Sequence, residues 1–260
     1  MTADKAIQSI EDVLEECGVT ETTLTPEVKR ALDEQGYVLF ENLIGAIWLE
    51  ELRSAYEGVI KREGKSAGVD HHQEEGARRI GDLVNKGAVF DRLYTHPTLL
   101  AATHHILGCD FKLGAMSGRD PLPGFGIQGY HLDTSARKNP DDPYKAVSIM
   151  ILLDNFTTDN GTTRIIPGTH KKTGVPSEHI KDPSAPHSDE VRVVAPASTV
   201  LCFNAHLFHA GTTNSAGTVR RMIHVFYQER TQPSWLDQSE YIRKRTYDRI
   251  SPAARYLLDV

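Results

Sequence analysis

The sequence has no long apolar run: its longest nearly apolar stretch, Ala146 to Leu153, is eight residues and contains Ser148. A membrane span needs about 20 apolar residues, so no membrane partner is expected. Cysteine is scarce. Cys17, Cys109 and Cys202 are an odd, widely spaced set without a CxxC pair, which argues against a disulfide framework and for a reducing compartment. Basic charge is not in excess either, with 29 Lys and Arg against 35 Asp and Glu and a net charge of −6. The electrostatic footprint of a nucleic-acid binder is therefore absent. Asp4, Glu11 and Asp12 stand where a secretory signal would need an apolar segment. No GxSxG elbow, HExxH pair, Walker loop, internal repeat or low-complexity tract occurs. These absences predict a cytoplasmic protein with neither nucleic acid nor membrane as partner, and they carry no signal for oligomeric state.

What is present is ordinary globular composition: 260 residues, 39% hydrophobic and 25% charged. One domain is expected, with three regions. Residues 1–107 read as mostly helical. Thr25-Pro26-Glu27 opens a helix, since Thr caps, Pro suits the first turn and Glu complements the dipole, and Gly36 closes it. Tyr37–Phe40 is a short strand, Leu43–Ile60 an amphipathic helix, Lys61–Ala77 a polar loop or lid, and Asp91–Leu107 a helix broken near Pro97. From residue 108 to 230 the texture turns to short β-branched and aromatic runs separated by Gly, Pro, Asn and Asp, namely 111–116, 147–153, 163–166, 191–194, 199–203 and 219–227. Such runs without intervening helices predict an antiparallel sandwich or barrel. Residues 231–260 form a charged tail, helical around Leu236–Arg245.

One motif is a decoy. Gly124-Phe-Gly126-Ile-Gln-Gly129 matches GxGxxG, but Pro121 and Pro123 precede it and Tyr130-His-Leu-Asp133 follows it. A dinucleotide site needs that loop between a strand and a helix, so a Gly-rich turn is the better reading. Histidine is more informative, with twelve in the chain. His71-His72 falls in the polar loop and reads as exposed. His104-His105 lies on a helix, where neighbours diverge. His96, His170, His179 and His187 adjoin turn residues and read as surface positions.

His131-Leu132-Asp133 differs from these. On a strand, residues i and i+2 share a face, which sets an imidazole beside a carboxylate. The segment Phe203 to Gly211 offers a third donor in either His206 or His209. Two His and one carboxylate form the facial triad suited to Fe(II), leaving positions open for a cosubstrate and O2. Gln128 stands three residues before His131, and Arg220-Arg221 opens an apolar strand eleven residues beyond His209. Alternation lets only one of these arginines face inward, and a buried guanidinium needs an anion. A dicarboxylate cosubstrate would supply one.

Three segments together resemble the phytanoyl-CoA dioxygenase family of Fe(II)/2-oxoglutarate-dependent oxygenases: Gln128-Gly-Tyr-His131-Leu-Asp133, Asn160-Gly-Thr-Thr-Arg-Ile-Ile-Pro-Gly-Thr-His170, and Phe208-His209-Ala-Gly-Thr-Thr-Asn214 with Arg220-Arg221. The resemblance implies a mainly β fold with N-terminal helices on a double-stranded β-helix core, jelly-roll and cupin-like. It implies iron held by His131, Asp133 and His209, and 2-oxoglutarate held by Arg220 with help from Gln128, Thr163 and, from the helical region, Arg79. Family members often carry Ser two residues after the distal His, where this chain has Gly211. The carboxylate at Asp133, which related halogenases lack, argues against halogenation. The expected activity is oxidation, by default hydroxylation, of a small or medium-sized metabolite. Two other readings remain: a jelly-roll binding protein without catalysis, and a zinc-dependent hydrolase. The expected pocket walls are Lys61–Ala77, Pro121–Gly126 and Ser135–Tyr144.

Overall fold

The computed structural model describes residues 7–260. In chain order its helices are α1 Ile10–Glu16, α2 Pro26–Glu34, α3 Ala46–Glu63, α4 Asp91–Tyr94, α5 Pro97–Leu107, α6 Gln238–Tyr241, α7 Lys244–Tyr247 and α8 Pro252–Leu258. Its strands are β1 Tyr37–Phe40, β2 Ala77–Ile80, β3 Phe111–Pro121, β4 Ala146–Leu152, β5 Thr163–Ile165, β6 Val191–Arg192, β7 Val200–Asn204, β8 His209–Gly211 and β9 Met222–Glu229. They form a six-stranded sheet ordered β1-β7-β4-β9-β3-β2 and a three-stranded sheet ordered β6-β5-β8, every pairing antiparallel.

Each face of the larger sheet has its own partner. Val147, Ile149 and Ile151 of β4, Val200 and Cys202 of β7, and Ile223, Val225 and Tyr227 of β9 join the core beneath the helices. Their alternates point the other way: Met150, Leu152, Leu201, Phe203 and Met222 pack toward the smaller sheet. β4 is buried at every position, so its run shows no polar alternation, as expected for a strand covered on both sides. The space between the sheets, at the end where the polar alternates Ser117, Arg119, Ser148 and His224 occur, is where the cavity forms.

Local signals explain most boundaries. Thr25 accepts from the Val28 amide at 3.4 Å with Pro26 in the first turn. Gly36 stops that chain segment at φ +83, and a Cβ there would lie 2.4 Å from His170 Nδ1, so both backbone sign and space require glycine. Several expectations need correction. The N-terminal region contributes both edge strands of the large sheet, and β2 lies just past the expected loop, in a region read as mostly helical. β8 was not foreseen, β6 is two residues long, and the tail helix is split into α6 and α7. His131–Asp133 is not a strand; a single bridge ties His131 to His209. The GxGxxG stretch is a turn, with Gly124 and Gly126 at φ +86 and +105. His170 is buried at 1% exposure and so is not a surface residue, and His96 is half-buried, stacked on Trp48. No helix among the described residues is long and apolar enough to cross a membrane.

Candidate active site

A cavity of about 560 Å³ opens between the sheets. His131, Asp133 and His209 meet in its wall. Backbone bonds place them: the His131 amide donates to His209 O at 3.0 Å, and the Asp133 amide donates to Ala205 O at 3.0 Å. With the His209 amide donating back to His131 O at 3.3 Å, three backbone bonds hold the HxD segment against β8 and the end of β7 without a strand of its own. The His131 and His209 rings are 4.3 Å apart between centroids. Asp133 Oδ1 lies 3.7 Å from His131 Nε2 and 3.4 Å from His209 Nε2. All three donor atoms fall within 4.8 Å of one another, a spacing that could hold one metal ion.

The donors are also set chemically. His131 Nδ1–H donates to Gly129 O and His209 Nδ1–H to Leu207 O, each at 2.9 Å. Those bonds fix the tautomer and leave both Nε2 lone pairs aimed at the shared point. The Ser148 hydroxyl donates to Asp133 Oδ2 at 2.5 Å, leaving Oδ1 for the imidazoles. Burial, and next the neighbouring His209, pulls His131 down to about 4, so its ring is neutral at physiological pH. Burial also opposes charge on Asp133 and His209, but their mutual attraction outweighs it, lowering the carboxyl and raising the imidazole. His206 is not part of this group. It is buried, with Nδ1 at 3.0 Å from Asn204 Oδ1 and its ring beside Tyr144.

Arg220 lines the same cavity at 2% exposure. Its Nη2 donates to Gly161 O at 2.8 Å and its guanidinium lies 4.1 Å over the Phe156 ring, but Nε and Nη1 have no partner among the described residues. Burial pulls its pKa down to about 10. A guanidinium so placed is short of a counter-ion. Arg221 turns away and pairs with Asp154 and Glu57, so the alternation argument selects the expected arginine, although both precede β9.

The other expected residues also line the cavity. Gln128 Oε1 accepts from the Gly211 amide at 3.1 Å. A Cβ at Gly211 would lie 2.5 Å from Gly126 O and 2.9 Å from Gln128 Oε1, so this backbone has no room for serine. Thr163 is buried, its hydroxyl 3.5 Å from Met150 Sδ. Arg79 comes from strand β2, not from a helix. Arg119, His224 and, from the tail, Trp235, which sequence reasoning did not foresee, complete the walls with His71, His72 and Glu74 of the polar segment before β2. Among the expected walls the Lys61–Ala77 segment contributes, whereas Pro121–Gly126 and Ser135–Tyr144 do not line the cavity. Arg137 in the latter is spent on carbonyls of Asp142 and His170.

Comparisons with known proteins agree with this architecture. The family model for phytanoyl-CoA dioxygenase (PhyH) matches residues 32–222. Dioxygenase trt7 of Aspergillus terreus is 24% identical over 211 residues, covering 76% of this chain and 72% of that protein. Dioxygenase FUM3 of Gibberella moniliformis is 28% identical, covering 59% of this chain and 57% of its own length. The iron/alpha-ketoglutarate-dependent dioxygenase ausU of Aspergillus calidoustus is 25% identical, with 76% and 69% covered. Among solved structures, HygX from Streptomyces hygroscopicus with nickel and 2-oxoglutarate bound superposes at a TM-score of 0.65 and 18% identity, over 81% of this chain and 89% of that one. That likeness shows the fold, a cupin-like jelly roll. With its family model matched over most of its length, the chain belongs to the phytanoyl-CoA dioxygenase family.

Proposed function

We propose that the protein is a non-haem Fe(II)- and 2-oxoglutarate-dependent oxygenase that hydroxylates a C–H bond of a small or medium-sized metabolite. The observation that carries this reading is the pairing, in one cavity, of a locked two-His, one-carboxylate donor set with a buried guanidinium that lacks an anion. A facial set of those donors suits Fe(II), and a dicarboxylate suits Arg220. Bound iron with 2-oxoglutarate and O2 supplies an oxidant able to attack an unactivated C–H bond, with succinate and CO2 as co-products.

This chain's residues supply geometry, charge and dryness. His131 and His209 offer Nε2 and Asp133 offers Oδ1, each held by a bond on its far side. Arg220 anchors the cosubstrate's distal carboxylate, with Thr163 beside it. Gln128 is braced on the amide of Gly211, the residue paired with Thr163 across β5 and β8, and aligns the cosubstrate from there. The family's serine hydroxyl is replaced here by that amide contact, because the approach of Gly126 and Gln128 admits only glycine.

The test is anaerobic titration of 2-oxoglutarate into Fe(II)-loaded protein, following the visible charge-transfer band of the chelate. The band is expected in wild type, absent in Asp133→Ala and His209→Ala, and shifted to much higher cosubstrate concentration in Arg220→Ala. Folded wild type without any band refutes the assignment and moves the weight to a zinc hydrolase or a binding protein.

A further inference from the structure

Arg220 and Arg79, the two arginines that resemblance assigns to the cosubstrate, are buried in the cavity wall with donor edges to spare. Nε and Nη1 of Arg220 and Nε of Arg79 have no partner among the described residues. Glu74 lies 3.5 Å from Arg79 Nη1, but both its oxygens grip Arg119, at 2.9 and 2.5 Å. Two guanidinium groups so deeply placed need negative charge nearby to stay ionised.

Asp120 on β3 supplies that charge from behind the wall. It is 0% exposed and is not among the residues that line the cavity. Its place in the sheet sets it close to both arginines. It is the cross-strand partner of Arg78, the neighbour of Arg79 on β2, and its Oδ1 lies 3.4 Å from the amide of Met222, two residues beyond Arg220. Burial opposes charge on both arginines; the Asp120 carboxylate acts against it, as the leading charge on Arg220 and behind Glu74 on Arg79.

Asp120 captures neither guanidinium because its oxygens are occupied. The Tyr56 hydroxyl donates to Oδ1 at 2.7 Å, and Arg78 donates to Oδ2 through Nε and Nη2 at 3.2 and 2.9 Å. Arg78 is closed in turn by Glu57. The hydroxyl reaches Asp120 because residue 118 is glycine, where a Cβ would collide with Tyr56 Oη. A carboxylate held off in this way favours the cationic form of both arginines and leaves their edges to a ligand. It also repels that ligand. 2-Oxoglutarate and the product succinate are both dianions, and a fixed negative charge nearby weakens the hold on each.

We propose that Asp120 is a positioning residue that keeps Arg220 and Arg79 charged but unoccupied, and that limits their grip on dicarboxylates so that succinate can leave. The identity of those dicarboxylates rests on the oxygenase reading.

The test is anaerobic titration calorimetry of Fe(II)-loaded wild type and Asp120→Asn with 2-oxoglutarate, succinate and pyruvate, with circular dichroism checking each fold. Burial raises the Asp120 carboxyl to about 6, so the titrations are run at pH 8, where it is ionised. Asp120→Asn is expected to bind both dicarboxylates roughly three- to tenfold more tightly, the order of effect of one nearby charge that makes no direct contact. Pyruvate, which has no distal carboxylate, binds alike in both proteins. A merely structural Asp120 would show the opposite sign, so unchanged or weaker dicarboxylate binding overturns the proposal. If the Asn variant does not fold, Arg78→Gln carries the test: the Asp120 charge is then unopposed, both dicarboxylates bind several-fold more weakly, and unchanged binding overturns the proposal. Melting of the metal-free protein tests the counter-charge without any ligand. Arg220→Met is expected to raise Tm by roughly 2 °C or more beyond its wild-type shift when Asp120 is already Asn, and equal shifts overturn the proposal. Wild type that binds neither dicarboxylate yet keeps this coupling supports the counter-charge and refutes the oxygenase reading.

Discussion

Replacing Arg220 by methionine should stabilise the ligand-free protein while crippling its hold on 2-oxoglutarate. An ordinary guanidinium near 12.5 is held here at about 10 by burial, which corresponds to ~3 kcal/mol against the charged form at neutral pH. Because the folded value lies below the unfolded one, this cost is full at pH 7 and fades only as pH rises beyond 10. Methionine removes it with a side chain of similar length. The variant forfeits one hydrogen bond to Gly161 O and the contact with Phe156, about 1 kcal/mol each. The net gain is about 1 kcal/mol, or roughly 2–4 °C in Tm for a chain of this size. Cosubstrate binding loses a bidentate charged pair worth about 3 kcal/mol, so Kd should rise ~100-fold. Scanning calorimetry of the metal-free protein and the anaerobic charge-transfer titration measure the two effects. A variant that melts well below wild type and binds 2-oxoglutarate normally would show Arg220 to be a structural residue and refute the reasoning.

Gly211→Ser, which restores the family's usual hydroxyl, should lower stability by about 1–3 kcal/mol through overpacking and displace Gln128, because the new Cβ would fall 2.5 Å from Gly126 O; a urea melt that matches wild type counts against this. His206 is 2% exposed and held by burial at about 4. The unfolded chain therefore takes up its proton first as pH falls, and up to about 2 kcal/mol of stability disappears between pH 7 and 5. His206→Gln should flatten that part of the urea-midpoint profile, and an unchanged slope would assign it to other groups. Glu74→Gln breaks the two-pronged grip on Arg119, costing about 1 kcal/mol for a partly exposed pair. Limited proteolysis should then cut within residues 67–76 faster than in wild type, and equal cutting rates would mean that the segment is held by other contacts.

The grouping of the candidate site was legible because its residues stand in short, local motifs. His131 and Asp133 are two residues apart, and the Phe208-His209 pair and Arg220 follow at fixed intervals. The route was partly wrong even so, since the HxD segment is held by backbone bonds to His209 and Ala205 and not by a strand of its own. Choosing His209 over His206 needed family resemblance first and tertiary geometry second, for three residues of sequence do not say which ring turns inward. Of the surrounding walls only the Lys61–Ala77 segment was legible, and the rest was not for a physical reason. Glu74, Arg119, His224 and Trp235 belong to four separate segments, and only the folding of the polar segment and the tail over the sheet brings them together. Strand β2 was missed because Ala77-Arg-Arg-Ile carries two charged residues with no apolar alternation, Arg78 pairing with Glu57 and Asp120 and Arg79 lining the cavity. His170 and His206 were misjudged or unplaced because burial of a neutral imidazole leaves no mark on composition.

The division of labour between sheet and loops bears on how such a protein changes over time. His131 and His209 are held by main-chain carbonyls of the jelly roll, which any side chain can provide, and Asp133 by one backbone bond and the Ser148 hydroxyl, so the core tolerates drift as long as its backbone path and Ser148 are kept. Glu74, His71 and Trp235 hang on irregular segments outside the strands, where insertions and exchanges disturb no ladder. The cavity's lining can therefore change through two irregular stretches of chain while the His131, Asp133 and His209 cluster keeps its place.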